Sequence, residues 1–243
     1  CARTEKWPLG LCTSSDEDRS DRGKPGSKAV NSYVSRADRC HFAIVHCLRL
    51  TVQTETQKEL ARLRFGREAE IIRNPIEIPT QSHRPDHQRQ RVVWIGRADN
   101  VKQPHLFKNL AQQFPDVFFE MILGENLQDI AGPIYENMPA NLTITKKVDP
   151  GSIMNWIAGA TALVNTSRFE GFPNAFLEAW AAGVPVLSLN VDPDGVIERI
   201  GCGIVADGDR QRFEAGLRRM LDETEFRHEA GRRGRSYVEE NHG

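Results

Sequence analysis

At 243 residues the chain is long enough for one large domain or two small ones, and 32 Lys and Arg against 33 Asp and Glu leave it near neutral. That balance gives no general case for nucleic acid or an anionic membrane, and no apolar run approaches the length of a membrane span. Five cysteines without a C-x-x-C pair suit a reducing cytoplasm, and no signal peptide is visible. The chain begins at Cys1 rather than Met, so a fragment is expected.

Residues 1–39 lack a periodic apolar pattern, and the run SSDEDRSDRGKPGSK at 14–28 reads as loop or disorder. Its acidic cluster Asp16, Glu17, Asp18 reads as a solvated loop rather than a cation site. Residues 40–54 form a strand-like run in which Cys40, His41, His46 and Cys47 cluster. Alternation along a strand would divide these four between two faces, which argues against a metal site and for core cysteines with flanking histidines. Residues 76–91, with Pro79, Pro85 and a polar run, read as an interdomain linker, and Pro85 keeps His83 and His87 from pairing on a helix.

A new sheet starts at 92–95. Gly96-Arg97 follows at once, Lys102 comes five residues on, and a helix is expected over 104–114. A glycine at a strand end followed by two cations suits a pyrophosphate, although G-R-x4-K alone is more often a piece of charged surface. Strands at 117–123 and 142–145 follow, with helical stretches near 127–136 and 151–158. After the central stretch come a short helix at 195–200, a strand-like edge at 201–205, and closing helices at 210–221 and 223–237. The face Phe213, Leu217, Met220, Leu221 reads as core, and the arginines at 227–235 as a solvated face.

Residues 161–189, TALVNTSRFEGFPNAFLEAWAAGVPVLSL, organise the rest. Two apolar runs, 162–164 and 184–189, read as buried parallel strands around a helix with Pro173 near its start and Gly183 past its end. The loop Ser167–Asn174 then lies at a strand's carboxyl end, where open α/β sheets bind ligands. Glu170 in that loop and Glu178 inside the helix form E-x7-E. The first helical amides, around Asn174, Ala175 and Phe176, have no intrahelical partner and form an anion site. A ligand with hydroxyls at both ends and phosphates between them would fit, which describes a nucleoside diphosphate sugar. A surface glutamate beside a helix-solubilising one is the plain alternative for such a pair.

The letters E-G-F-P-N-A-F-L-E-A-W-A-A-G-V-P-V resemble the signature of retaining glycosyltransferases of the GT-B fold, specifically glycosyltransferase family 4 (group 1 type). G-R-x4-K resembles that family's donor-phosphate element and precedes E-x7-E in the expected order. The resemblance extends over about 37–241, with residues 1–80 similar to a remnant of the amino-terminal, acceptor-side domain, 81–91 a linker, and 92–243 the carboxyl-terminal nucleotide-sugar-binding domain; in the remnant it implies a helix over 55–65 with Gly66 as its stop, then a strand over 69–72 leading to Asn74-Pro75. It implies a doubly wound parallel α/β sheet and transfer of a hexosyl-type sugar to an acceptor with retention. Arg97, Lys102 and Glu170 would be catalytic. Gly96, Val148, Gly171, Phe172, Pro173, Asn174, Ala175, Phe176 and Glu178 would hold the donor, with Glu170 on the sugar and Glu178 on the ribose.

No cofactor and no metal is implied; the donor, UDP- or GDP-linked, is a substrate. The implied partners are that nucleotide sugar and a carbohydrate or lipid-linked acceptor, without nucleic acid, in the cytoplasm, with peripheral membrane contact left open. Three other readings stand beside this one: a glycosidase using the two glutamates, a sugar-nucleotide epimerase, and a truncated or non-catalytic nucleotide-sugar-binding module. Arg97 and Lys102 count against the glycosidase, which has no use for a diphosphate site.

Overall fold

The computed structural model describes residues 44–45, 47–79, 90–124, 134–146 and 148–243, and the chain divides into two compact units, Cys1–Ile72 and Arg73–Gly243. The stretch 1–39, Cys40, His41, His46, most of the expected linker and most of the helix near 127–136 lie outside the described residues.

In the first unit, strand β1 (Thr51–Val52) pairs in parallel with β2 (Glu70–Ile71) across helix α1 (Glu55–Phe65). Thr54 caps α1 by accepting from the Gln57 amide at 3.1 Å, and Gly66 ends it at φ 61°, a conformation that suits a residue without a Cβ. Among the described residues of the run at 40–54, only Thr51–Val52 form a strand, and Ile44 and Val45 are helical. A strand extends only where it has a partner, and β2 supplies two residues. Among the described residues no group of three His, Cys, Asp or Glu could hold a metal, and the Cys47 thiol donates to the Ile44 carbonyl at 3.2 Å.

The second unit is a six-stranded parallel sheet. Its strands are β3 (Arg91–Gly96), β4 (Phe118–Leu123), β5 (Leu142–Lys146), β6 (Ala162–Asn165), β7 (Val186–Ser188) and β8 (Gly203–Val205), in the order β5-β4-β3-β6-β7-β8. Counted within this unit the order is third, second, first, fourth, fifth, sixth, the doubly wound Rossmann arrangement. The strands are apolar on both sides because helices cover both. Val92, Trp94, Phe119, Met121, Ala162 and Val164 face one core with α2 (Pro104–Gln113) and α6 (Arg210–Asp222). Val93, Ile122, Leu163 and Val186 face the other with α3 (Ile153–Ile157), α4 (Asn174–Ala181), α5 (Val196–Ile200) and α7 (Thr224–Asn241).

Helix α4 is seated tightly in the second core. Its Trp180 is fully buried, and the Trp180 indole donates to the Cys202 carbonyl at 3.2 Å. Helix α7 approaches so closely that a Cβ at Gly234 would lie 2.4 Å from the Trp180 ring, and one at Gly231 2.0 Å from the Gly183 carbonyl oxygen. Only glycine allows that approach. Among the described residues, no helix is long and apolar enough to cross a membrane.

Candidate functional site

The strand order reverses direction between β3 and β6, so the loops leaving their carboxyl ends diverge and leave a crevice between them. Gly96 ends β3, the loop after it carries Arg97 and Lys102, and the loop after β6 carries Glu170 through Pro173. Both halves of the expected site therefore meet at the switch point, although 68 residues separate Lys102 from Glu170.

Direct bonds join the two loops. Lys102 Nζ donates to Glu170 Oε2 at 2.6 Å, and Asn165 Nδ2 donates to the other carboxylate oxygen at 2.8 Å. The side chains of Lys102 and Glu170 are only 20% and 13% exposed, so this ion pair is much less screened than a surface one. Beneath it, the Trp94 indole donates to Thr166 Oγ1 at 2.9 Å, and that hydroxyl donates to the Lys102 carbonyl at 2.6 Å. The Arg168 amide donates to the Val101 carbonyl at 2.9 Å. Asp99 Oδ1 accepts from the amides of Val101 and Lys102 at 3.0 and 2.8 Å, which closes the first loop on itself.

Gln103, next to Lys102, has φ 49°, a left-handed conformation uncommon for such a residue. Its amide nitrogen reaches the Thr166 carbonyl and its oxygen accepts from Arg168 Nε, both at 3.2 Å in the orientation that satisfies both atoms. The strain is thus held by the facing loop. Arg97 is more open: its side chain is 59% exposed and lies 3.3 Å from Asp99 Oδ2.

The start of α4 narrows the expected set of donors. Phe176 is fully buried against Trp180, and its amide donates to the Pro173 carbonyl at 3.0 Å. Phe176 therefore anchors the helix, and a ligand at this helix start has the amides of Asn174 and Ala175. Phe172 is also buried, stacked on Tyr237 and tilted against His242, so it supports the loop from below. Asn174 is exposed, and its Oδ1 accepts from Asn74 Nδ2 at 2.6 Å. The Asn74 carbonyl meets His242 Nδ1 at 2.8 Å, and His242 is 4% exposed. One chain of contacts thus ties residue 74, the end of α7 and the start of α4 together.

Glu178 lies one turn inside α4, half-buried. Burial raises its pKa, and no described side chain bonds to its carboxylate. Its carboxyl is therefore harder to ionise in the free protein than a solvated one. Gly96 also has an internal reason to be glycine: a Cβ there would lie 2.9 Å from the Trp94 ring. Val148 is half-buried and packs against the second core.

Sequence reasoning missed Asn165, Thr166, Asp99 and Gln103. Asn165 and Thr166 did carry a signal, being polar residues at the carboxyl end of a wholly apolar strand.

The sequence model of the family described as glycosyl transferases group 1 matches residues 89–223. No curated protein matches the chain by sequence. Among solved structures, a TarM variant from S. aureus, in complex with Fondaparinux, alpha-GlcNAc-glycerol and UDP, is 18% identical with a TM-score of 0.71, over 85% of this chain and 43% of that one. Sucrose-phosphate synthase from Thermosynechococcus elongatus is 18% identical with a TM-score of 0.72, over 88% and 60%. WaaG, a glycosyltransferase involved in lipopolysaccharide biosynthesis, is 18% identical with a TM-score of 0.63, over 79% and 58%. The chain spans less than two thirds of each, and at these identities the likeness establishes the fold, GT-B.

Proposed function

The chain belongs to the glycosyl transferases group 1, and from that premise we propose that it carries the donor site of a retaining, family-4 enzyme that moves a hexosyl sugar from a nucleoside diphosphate to a carbohydrate or lipid-linked acceptor. The observation that carries this reading is the meeting of the Arg97–Lys102 loop and the Glu170 loop at the switch point of the sheet, with the start of α4 immediately following. Cations and unpaired helix amides there suit a pyrophosphate.

In the transfer, the bond between the anomeric carbon and the distal phosphate oxygen breaks. The acceptor oxygen forms the new bond and gives its proton to the departing diphosphate oxygen. Negative charge grows on the departing diphosphate, where Lys102, Arg97 and the amides of Asn174 and Ala175 stabilise it. Glu170, on the loop, accepts from sugar hydroxyls. Glu178 accepts from the ribose hydroxyls, whose donors favour its ionised form and offset the cost of its burial.

Calorimetric titration with UDP, GDP and ADP, each free and as a sugar conjugate, tests the reading. Binding of one base series is expected. Failure of the folded chain to bind any of them would overturn it.

A further inference from the structure

Resting on that donor-site reading, we propose that the Lys102–Glu170 ion pair is a specificity device that favours a sugar-bearing nucleotide over the free nucleoside diphosphate. In the ligand-free protein the best-placed cation for a phosphate is already engaged: Lys102 Nζ lies 2.6 Å from Glu170 Oε2. The main chain of Lys102 is fixed beside the Glu170 loop by Asp99 Oδ1 and Thr166 Oγ1, so its side chain starts within reach of Glu170. Glu170 is likewise held, by Asn165 Nδ2 on its second oxygen. Asn165 is buried and is itself fixed, since its Oδ1 accepts from the Ser167 amide at 3.1 Å.

A bare diphosphate that recruits Lys102 takes the cation from Glu170. The carboxylate is then left little exposed, with Asn165 as its remaining partner, and faces a second anion. Both effects weaken binding. A diphosphate carrying a sugar recruits the same lysine but supplies hydroxyl donors to the released carboxylate, so the lost ion pair is replaced by charge-assisted hydrogen bonds. The pair therefore acts against the free diphosphate, which is also the leaving group of the transfer, and favours its departure once the sugar is gone.

The test compares UDP with UDP-glucose, or GDP with GDP-mannose where the wild-type chain takes guanosine, by calorimetry on the wild type, Glu170→Gln, Glu170→Ala and Lys102→Ala. Both Glu170 variants are expected to bind the free diphosphate roughly tenfold more tightly than wild type, while the advantage of the sugar conjugate over the free diphosphate shrinks. Two replacements at one loop position, each checked by circular dichroism, keep the test open if one fails to fold. Unchanged or weaker diphosphate binding in both, with Lys102→Ala still losing it, overturns the device and leaves the donor site standing. Diphosphate binding that none of the three substitutions alters overturns both.

Discussion

Glu170 and Glu178 lie eight residues apart and bear the same functional group, yet the fold treats them in opposite ways. Glu170, on a loop, is met by a lysine at 2.6 Å and an amide at 2.8 Å, so its charge is compensated before any ligand arrives. Glu178, in a regular helix, is half-buried with a raised pKa and no described side chain bonded to its carboxylate. One site is satisfied within the protein and has to be opened; the other is left unsatisfied by protein groups and can take donors from a ligand. A loop at a switch point can reach partners from another strand, whereas a residue inside a helix is confined to the direction its backbone sets.

The largest expected effect breaks the satisfied side. Lys102→Ala removes the phosphate cation and leaves Glu170 without its ion-pair partner, so nucleoside diphosphate affinity should fall by about 1.5–3 kcal/mol, ten- to a hundredfold, in calorimetry. Next is the seat of the unsatisfied side. Gly234→Ala drives a Cβ into the Trp180 ring and should cost about 1–3 kcal/mol of stability, read as a lower urea midpoint at unchanged slope.

Glu178→Gln sharpens the contrast. It should weaken free diphosphate and sugar conjugate alike, by roughly tenfold, while slightly raising the melting temperature at neutral pH, because a neutral amide replaces a poorly solvated carboxylate. The sign of the pH dependence follows from the same shift. A carboxyl whose folded pKa is raised holds its proton to higher pH, so stability from this group is present below its unfolded value and is lost as pH rises through the raised one. A ribose needs the ionised form. Affinity should therefore drop as pH falls through the raised pKa, and that slope should vanish in Glu178→Gln. Arg97→Ala should give the smallest change, below about 1 kcal/mol in the same titration, since its side chain is exposed and screened.

Most of the fold was legible in the letters. Buried parallel strands read as continuous apolar runs, and four of the six runs in the second unit match an observed strand to within one residue at both ends. The run at 184–189 was trimmed to Val186–Ser188, just past Pro185, which has no amide to give to a ladder. Helix starts and stops followed Pro104, Pro173, Gly66 and Gly183, because the chemistry of those residues is local. The run at 40–54 misled because a strand depends on a partner elsewhere in the chain, and hydrophobicity alone does not supply one.

The sequence by itself determined which groups exist and which elements carry them: two cations after one strand, two glutamates around a helix start, and the order in which they occur. Only the tertiary structure decided what each group faces. The ion pair between residues 102 and 170, the Asn165 donor and the strained Gln103 all arise where β3 and β6 lie side by side, and no local pattern encodes a contact across that distance. The same holds for Glu178, whose burial comes from helices and strands packed around α4. Propensity acts between neighbours in the chain, while charge and desolvation act between neighbours in space.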